Sequence, residues 1–167
     1  TYTLPGGGEL RPYGVAVSKE GEIAVSDKKN NCIVMFDKTG NFYRKLLQSG
    51  SEKGELICPR GVAFNSMDEL VVADSKNQRI QVFDKRSGRK IRTFGCHGSL
   101  TGQFNYLHGV SVDERDRVIV TDRHNNIIQV FDEDGNFLFQ FCNNTENLDK
   151  PFHCVSYQDS FFVSDWG

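Results

Sequence analysis

Apolar residues in this chain fall in runs of four to six, rich in Val, Ile and Phe, separated by short polar turns. No window repeats them at the 3.6-residue spacing of a helix, so every element reads as β. The pattern also returns on itself. Pro12-Tyr13-Gly14-Val15-Ala16-Val17 is matched by Pro59-Arg60-Gly61-Val62-Ala63-Phe64 and by Leu107-His108-Gly109-Val110-Ser111-Val112, with glycines 47 and then 48 residues apart. Ile23-Ala24-Val25-Ser26-Asp27 is matched by Leu70-Val71-Val72-Ala73-Asp74 and Val118-Ile119-Val120-Thr121-Asp122. An Asp-x-x-Asn-x-x-Ile turn follows in each copy (Asp27, Asn30; Asp74, Asn77; Asp122, Asn125), then a third run ending in Phe-Asp. A fourth copy starts at Pro151-Phe152-His153-Cys154 and reaches Asp165.

Self-similarity at this period indicates a repeat architecture. Turn residues predict a first hairpin at Lys19-Glu20-Gly21 and Ser66-Met67-Asp68 in two of the copies and a second at Lys38-Thr39-Gly40-Asn41, Arg86-Ser87-Gly88 and Asp134-Gly135-Asn136 in all three. The last strands are predicted over 42–47, 91–94 and 138–141. Four antiparallel strands in about 47 residues is the layout of a propeller blade. Blades are expected at about 10–47, 59–94 and 107–141, with an incomplete one at about 151–167. The third run carries bulky apolar side chains on both faces, which suits a sheet covered on both sides by neighbours. Tyr2-Thr3-Leu4 and Gly6-Gly7-Gly8-Glu9-Leu10 read as the tail of an earlier copy, so the chain is expected to be part of a larger ring. Such an unclosed segment is expected to expose blade faces around Tyr13–Val17 and Phe161–Val163 and to self-associate through them.

Composition changes this picture little. Basic residues number 20 and acidic 22, a net charge of −2, which rules out a uniformly basic nucleic-acid binder but allows a basic face. The longest apolar run, Cys32 to Phe36, is too short to cross a bilayer, and with no basic stretch followed by an apolar one at its start the chain is expected to carry no signal peptide. Five scattered cysteines without zinc spacing point to a reducing, cytoplasmic setting.

These residues resemble the NHL repeat: the Pro-x-Gly-Val-Ala-Val strand, the Asp-x-x-Asn-x-x-Ile turn and the Gln-Val-Phe-Asp-x-x-Gly hairpin, in three full copies and a partial fourth. The Gly-His and Trp-Asp signatures of WD repeats do not recur. The resemblance implies an all-β propeller of four-stranded antiparallel blades, six when complete, of which this chain holds about three and a half. It is most like the propeller that ends tripartite-motif proteins. That likeness implies an upstream RING finger with ubiquitin-ligase activity, zinc-binding B-boxes and an oligomerising coiled coil. The propeller itself is implied to bind RNA stem-loops or protein partners, with no cofactor, membrane or small-molecule substrate.

Propeller geometry places the loops before each Pro-x-Gly and the Asp-x-x-Asn loops on one face, the top, and both hairpin turns on the bottom. The top carries Lys28, Lys29, Lys53, Arg60, Lys76, Arg123 and Lys150 against Glu52, Glu55, Glu146 and Asp149, a net +3 without the repeat aspartates; the bottom is net −4. Tyr13, Arg60, His108 and Phe152 occupy one variable position and are expected to ring the channel mouth. Aromatic rings, a guanidinium and an imidazole stack on unpaired bases and grip phosphate, and Lys28, Lys29, Lys76, Arg123 and His124 would add phosphate contacts. Asp27, Asn30, Asp74, Asn77, Asp122 and Asn125 are read as structural, since they recur in every blade. A protein partner on the same face is the rival reading. A second rival is a peptide-amidating-lyase-type metalloenzyme, with His108 and His153 on adjacent inner strands. No G-x-S-x-G, P-loop, GxGxxG or HExxH motif supports an enzyme, and no catalytic or metal-binding residue is assigned.

Overall fold

The computed structural model describes residues 9–142, 148–158 and 160–166. Tyr2-Thr3-Leu4, Gly6-Gly7-Gly8 and Glu146 lie outside the described residues. Three four-stranded antiparallel sheets follow one another. The first holds β1 (Pro12–Val17), β2 (Ile23–Asp27), β3 (Cys32–Phe36) and β4 (Phe42–Leu46), in that order from inside to outside. Two short parallel strands, β5 (Gln48–Ser49) and β6 (Glu55–Leu56), line the passage to the second sheet. That sheet holds β7 (Pro59–Phe64), β8 (Leu70–Asp74), β9 (Arg79–Phe83) and β10 (Lys90–Phe94). The crossover repeats with β11 (Cys96–His97) and β12 (Gln103–Phe104), leading to β13 (Leu107–Val112), β14 (Val118–Asp122), β15 (Ile127–Phe131) and β16 (Phe137–Cys142). A hairpin of β17 (His153–Tyr157) and β18 (Ser160–Ser164) begins a fourth sheet. The innermost strands β1, β7, β13 and β17 pack side by side, so the sheets are successive blades of a propeller. The outermost strands differ slightly from expectation. β4 stops at Leu46 because Leu47 turns into the left-handed region (φ 69°), and β10 and β16 each start one residue early.

The apolar cores lie between blades. Ala24, Ile33 and Met35 of the first blade pack against Val62, Leu70, Val72 and Phe83 of the second. Ala63, Val71, Ile80 and Val82 of the second pack against Val110, Val118, Val120 and Phe131 of the third. Ile119, Ile128 and Val130 meet Cys154 and Phe161 of the fourth. Each sheet therefore buries both faces, and burial at about 25 cal/mol per Å² makes the neighbouring blade the main stabiliser of each one.

The inner-strand glycines permit this packing. A Cβ on Gly61 would lie 2.4 Å from the Val110 nitrogen and 2.8 Å from the Gly109 carbonyl carbon. One on Gly14 would lie 2.4 Å from the Arg60 oxygen. These are rigid backbone atoms, so the strands could not approach if either residue carried a side chain.

Polar ties complete the joints. Gln81 and Gln129 are fully buried; each accepts from a crossover amide (Gly54, 3.0 Å; Gly102, 2.8 Å) and donates to a crossover carbonyl (Glu55, 2.7 Å; Gln103, 2.7 Å). At the bottom, Asp68 accepts from the Lys19 amide (2.9 Å) and Asp116 from the Ser66 amide (2.7 Å), one tie per joint. Lys85 is buried among Glu20 (2.9 Å), Glu22 (2.6 Å) and Asp68 (2.5 Å). Burial lowers a lysine's pKa, but the hydrogen bonds it donates to the three carboxylates outweigh that and raise it, so this group stays charged.

The free flanks are apolar. Val15 and Val17 on β1 are 66% and 62% exposed, and Phe162 and Val163 on β18 are exposed as well, whereas Phe161 is half-buried against Phe139 and Phe141. The 167-residue chain is expected to self-associate through these flanks; sedimentation showing one monomeric species across the micromolar range would contradict this. Phe83→Ala, which empties a site between two blades, is expected to cost about 3–5 kcal/mol. Phe36→Ala, at the same repeat position but less buried, is expected to cost less. Gly61→Ala is expected to cost about 1–3 kcal/mol by forcing β7 from β13. Urea denaturation of the three variants checks the ranking.

Candidate functional site

The inner strands of the three complete blades break register at the same place: between Pro12 and Val15, Pro59 and Val62, and Leu107 and Val110. The irregularity falls on the variable residue and its glycine. Such a bulge frees a side chain from the ladder and re-aims it, here toward the channel mouth.

A buried aspartate sets the loops around it. Asp27, Asp74 and Asp122 are fully buried at the ends of β2, β8 and β14. Each accepts from the amide of the loop before its own inner strand: Arg11 (3.3 Å), Ile57 (2.8 Å) and Asn105 (2.8 Å). Each also accepts from the repeat asparagine, Asn30 (2.6 Å), Asn77 (2.9 Å) or Asn125 (2.8 Å). Those asparagines reach on to the Glu9, Gly50 and Gly98 carbonyls. Burial pushes the Asp74 and Asp122 carboxyls up, against the hydrogen bonds that pull them down.

Four variable residues, one from each blade, meet at the mouth. The Arg60 guanidinium lies 4.9 Å from the Tyr13 ring and 4.4 Å from the Tyr106 ring, donating to Tyr13 Oη (3.2 Å) and to Tyr106 Oη. The Tyr13 hydroxyl contacts His108 Nε2, and His108 Nδ1 lies 3.0 Å from the Phe152 carbonyl oxygen. Donors and acceptors match along this chain when His108 is neutral with its proton on Nδ1: Arg60 donates to Tyr13, Tyr13 to His108, and His108 to Phe152. Burial, then the positive charge of Arg60, lowers the His108 pKa to about 4, which keeps the ring neutral. Burial raises the Tyr13 pKa more than Arg60 lowers it, which keeps the hydroxyl protonated.

The other candidates divide. Lys28 sits 4.9 Å over the Tyr13 ring, Arg123 lies 5.9 Å from the Trp166 ring, and His124 stacks on Tyr106 at 4.5 Å. Lys29 points away to Glu9 (3.2 Å), and the exposed Lys76 makes no ring contact among the described residues. His108 does not offer its ring to the surface. At 1% exposure it lies under Tyr13 and Phe152 (centroids 5.0 and 3.9 Å) and supports them. Tyr106 and Trp166 were not singled out from sequence. Trp166 follows Asp165 as Lys28 follows Asp27 and Arg123 follows Asp122, a second variable column beside the first.

Several cations elsewhere on the surface are held by carboxylates. Arg79, Lys85, Arg86, Arg92, Arg117 and Lys150 each pair with a carboxylate. Among the described residues, Lys28, Arg60 and Arg123 pair with none and face aromatic rings instead. A hollow of about 330 Å³ runs along the inner strands, lined by Tyr13, Gly14, Gly61, His108, Gly109, Phe152 and His153 among others. Among the described residues, no three His, Cys, Asp or Glu side chains gather to hold a metal, so the His108–His153 pair has no third ligand there.

The neutral His108 has a pH consequence. The unfolded chain protonates this imidazole below about pH 6.5 and the folded chain only below about pH 4, so its contribution to stability is present at pH 7 and is lost as pH falls through that window. The shift corresponds to about 3 kcal/mol. Denaturation curves from pH 7 to 4 should fall more steeply for the native chain than for His108→Phe; parallel curves would contradict the assignment.

Comparison with known proteins agrees with this architecture. The model of the family described as "NHL repeat" matches residues 10–36, 56–83 and 104–131. Protein lin-41 of Caenorhabditis elegans is 49% identical over 41 residues, 24% of this chain and 4% of that protein. Virginiamycin B lyase from Staphylococcus aureus superposes with a TM-score of 0.77 at 17% identity, covering 98% of this chain and 52% of the lyase. XC5397 from Xanthomonas campestris, a gluconolactonase, superposes with a TM-score of 0.74 at 17% identity, covering 99% of this chain and 58% of its own. The chain thus spans little more than half of these solved structures, and likeness at such identity shows the fold alone. Three matched repeats, each covering the three inner strands of one four-stranded blade, make the chain an NHL-repeat β-propeller protein.

Proposed function

We propose that this propeller segment is a recognition module and that its ligand is single-stranded or hairpin RNA held on the top face. The observation that carries the reading is the collar of Lys28, Arg60 and Arg123, cations without carboxylate partners among the described residues, set over Tyr13, Tyr106 and Trp166. A phosphate supplies the missing anion, and an unpaired base stacks on a ring that already carries a cation. Trp166 is 69% exposed and gives a stacking surface. The NHL match and the short similarity to protein lin-41 support an interaction propeller. The reading makes the segment the ligand-binding end of a tripartite-motif protein in the cytoplasm, with ligase chemistry and zinc in domains outside these residues. A protein partner is the second reading, favoured by the same cluster, since Tyr, Trp and Arg are the side chains that dominate protein interfaces.

Fluorescence anisotropy with a labelled hairpin pool at two salt concentrations tests the proposal. Lys28→Glu with Arg123→Glu is expected to weaken binding at least tenfold. The salt slope should fall by about 1.4 if each cation meets one phosphate of a single strand. Lys29→Glu with Lys76→Glu, outside the collar, should weaken binding less. Absent binding, or equal effects from the two pairs, would overturn the RNA reading and leave the protein partner.

A further inference from the structure

The opposite end of the channel differs in kind. Val17, Phe64 and Val112 hold the same repeat position at the bottom ends of β1, β7 and β13. Together they line a groove of about 300 Å³, with Asn65, Ser66, Asp113, Glu114 and Asp116 along its rim. Val17 is largely exposed, and the adjoining turn raises Met67 to 60% exposure. Methionine is an adaptable contact for apolar ligands. The groove has room for one aliphatic or aromatic side chain.

Carboxylates outnumber cations three to one in the wall of the groove, Asp113, Glu114 and Asp116 against Lys19. Lys19 is the cation in its wall, and its ammonium is turned onto the Ser66 carbonyl. Nearby cations are already neutralised: Lys85 by Glu20, Glu22 and Asp68, and Arg117 by Asp113 (2.6 Å). Asp116 is held by the Ser66 amide and hydroxyl. Glu114 is exposed and has no ion-pair partner among the described residues. With a bottom face of net −4, the rim projects negative potential over an apolar slot. The top mouth has the reverse, unpaired cations over aromatic rings.

We infer that this bottom groove docks a protein segment in which an apolar side chain is flanked by lysine or arginine. The apolar residue fills the slot between Val17, Phe64 and Val112, and its basic neighbours meet Glu114 and the acidic rim. Charge complementarity sets the sign of the partner, and the slot separates it from a merely polycationic chain. The surface is distinct from the top-face cluster, so its occupation does not depend on what binds there.

Three labelled hexapeptides test this with the full 167-residue chain, held below the concentration at which it self-associates. One alternates arginine and leucine, one arginine and serine, and one glutamate and leucine. The arginine–leucine peptide is expected to bind at least tenfold more tightly than either other. Glu114→Lys should weaken it at least fivefold and Val17→Thr at least threefold, with thermal melting unchanged in both. Val15→Thr, on the same strand but outside this groove, should leave binding within twofold. Equal binding of the arginine–serine peptide would reduce the site to general electrostatics and overturn the inference. So would equal binding of the glutamate–leucine peptide, or a Val15→Thr effect as large as that of Val17→Thr, which would place the peptide on the open flank.

Discussion

A carboxylate with no solvent around it anchors the top of every complete blade. Asp27, Asp74 and Asp122 each join the loop entering the inner strand to the loop leaving the second strand. Those two loops carry the residues that vary between blades. One variable column, Tyr13, Arg60, His108 and Phe152, follows the entering loop; the other, Lys28, Arg123 and Trp166, follows the aspartate. A buried carboxylate is tolerated only when amide and side-chain donors replace its water, so the aspartate holds both columns at fixed separation. The repeated aspartate is structural, and the residues that differ from blade to blade are the ones the proposed recognition uses.

Below that layer, the blades depend on one another. A four-stranded sheet with apolar side chains on both faces has no stable isolated form in water. The inner-strand glycines let backbones approach closely enough for the cores on either side to close. The polar ties at Gln81, Gln129, Asp68 and Asp116 then set each blade's rotation relative to the next. The stack therefore behaves as a row of nearest-neighbour joints, and the mouth cluster inherits its geometry from all of them.

The two ends of the channel use this scaffold in opposite ways. At the top, the unpaired cations lie over aromatic rings, and Arg60 is held there by a chain of hydrogen bonds that runs to the Phe152 carbonyl. At the bottom, Lys85, Arg86 and Arg117 are paired with carboxylates, and acidic groups rim a small apolar slot. A chain of nearly zero net charge thus presents two chemically distinct surfaces on one axis.

The repeat, its strands and its glycines were legible in the amino-acid order because each is a local property. Period-two apolar runs, turn residues and self-similarity depend only on near neighbours along the chain. The variable column was legible too, since its members stand out against repeated flanks. Other features needed the fold. Tyr106 pairs with Arg60 across 46 positions, and Trp166 meets Arg123 from the next blade; neither proximity leaves a mark in sequence. The burial of His108 was hidden for the same reason. Its solvent is excluded by Tyr13 and Phe152 from other blades, so the ring that composition suggests as a ligand contact becomes a neutral support. Which cations are free was also undecided by sequence, because ion pairing depends on distances set between blades, as the contrast between Lys29 on Glu9 and Lys28 on Tyr13 shows.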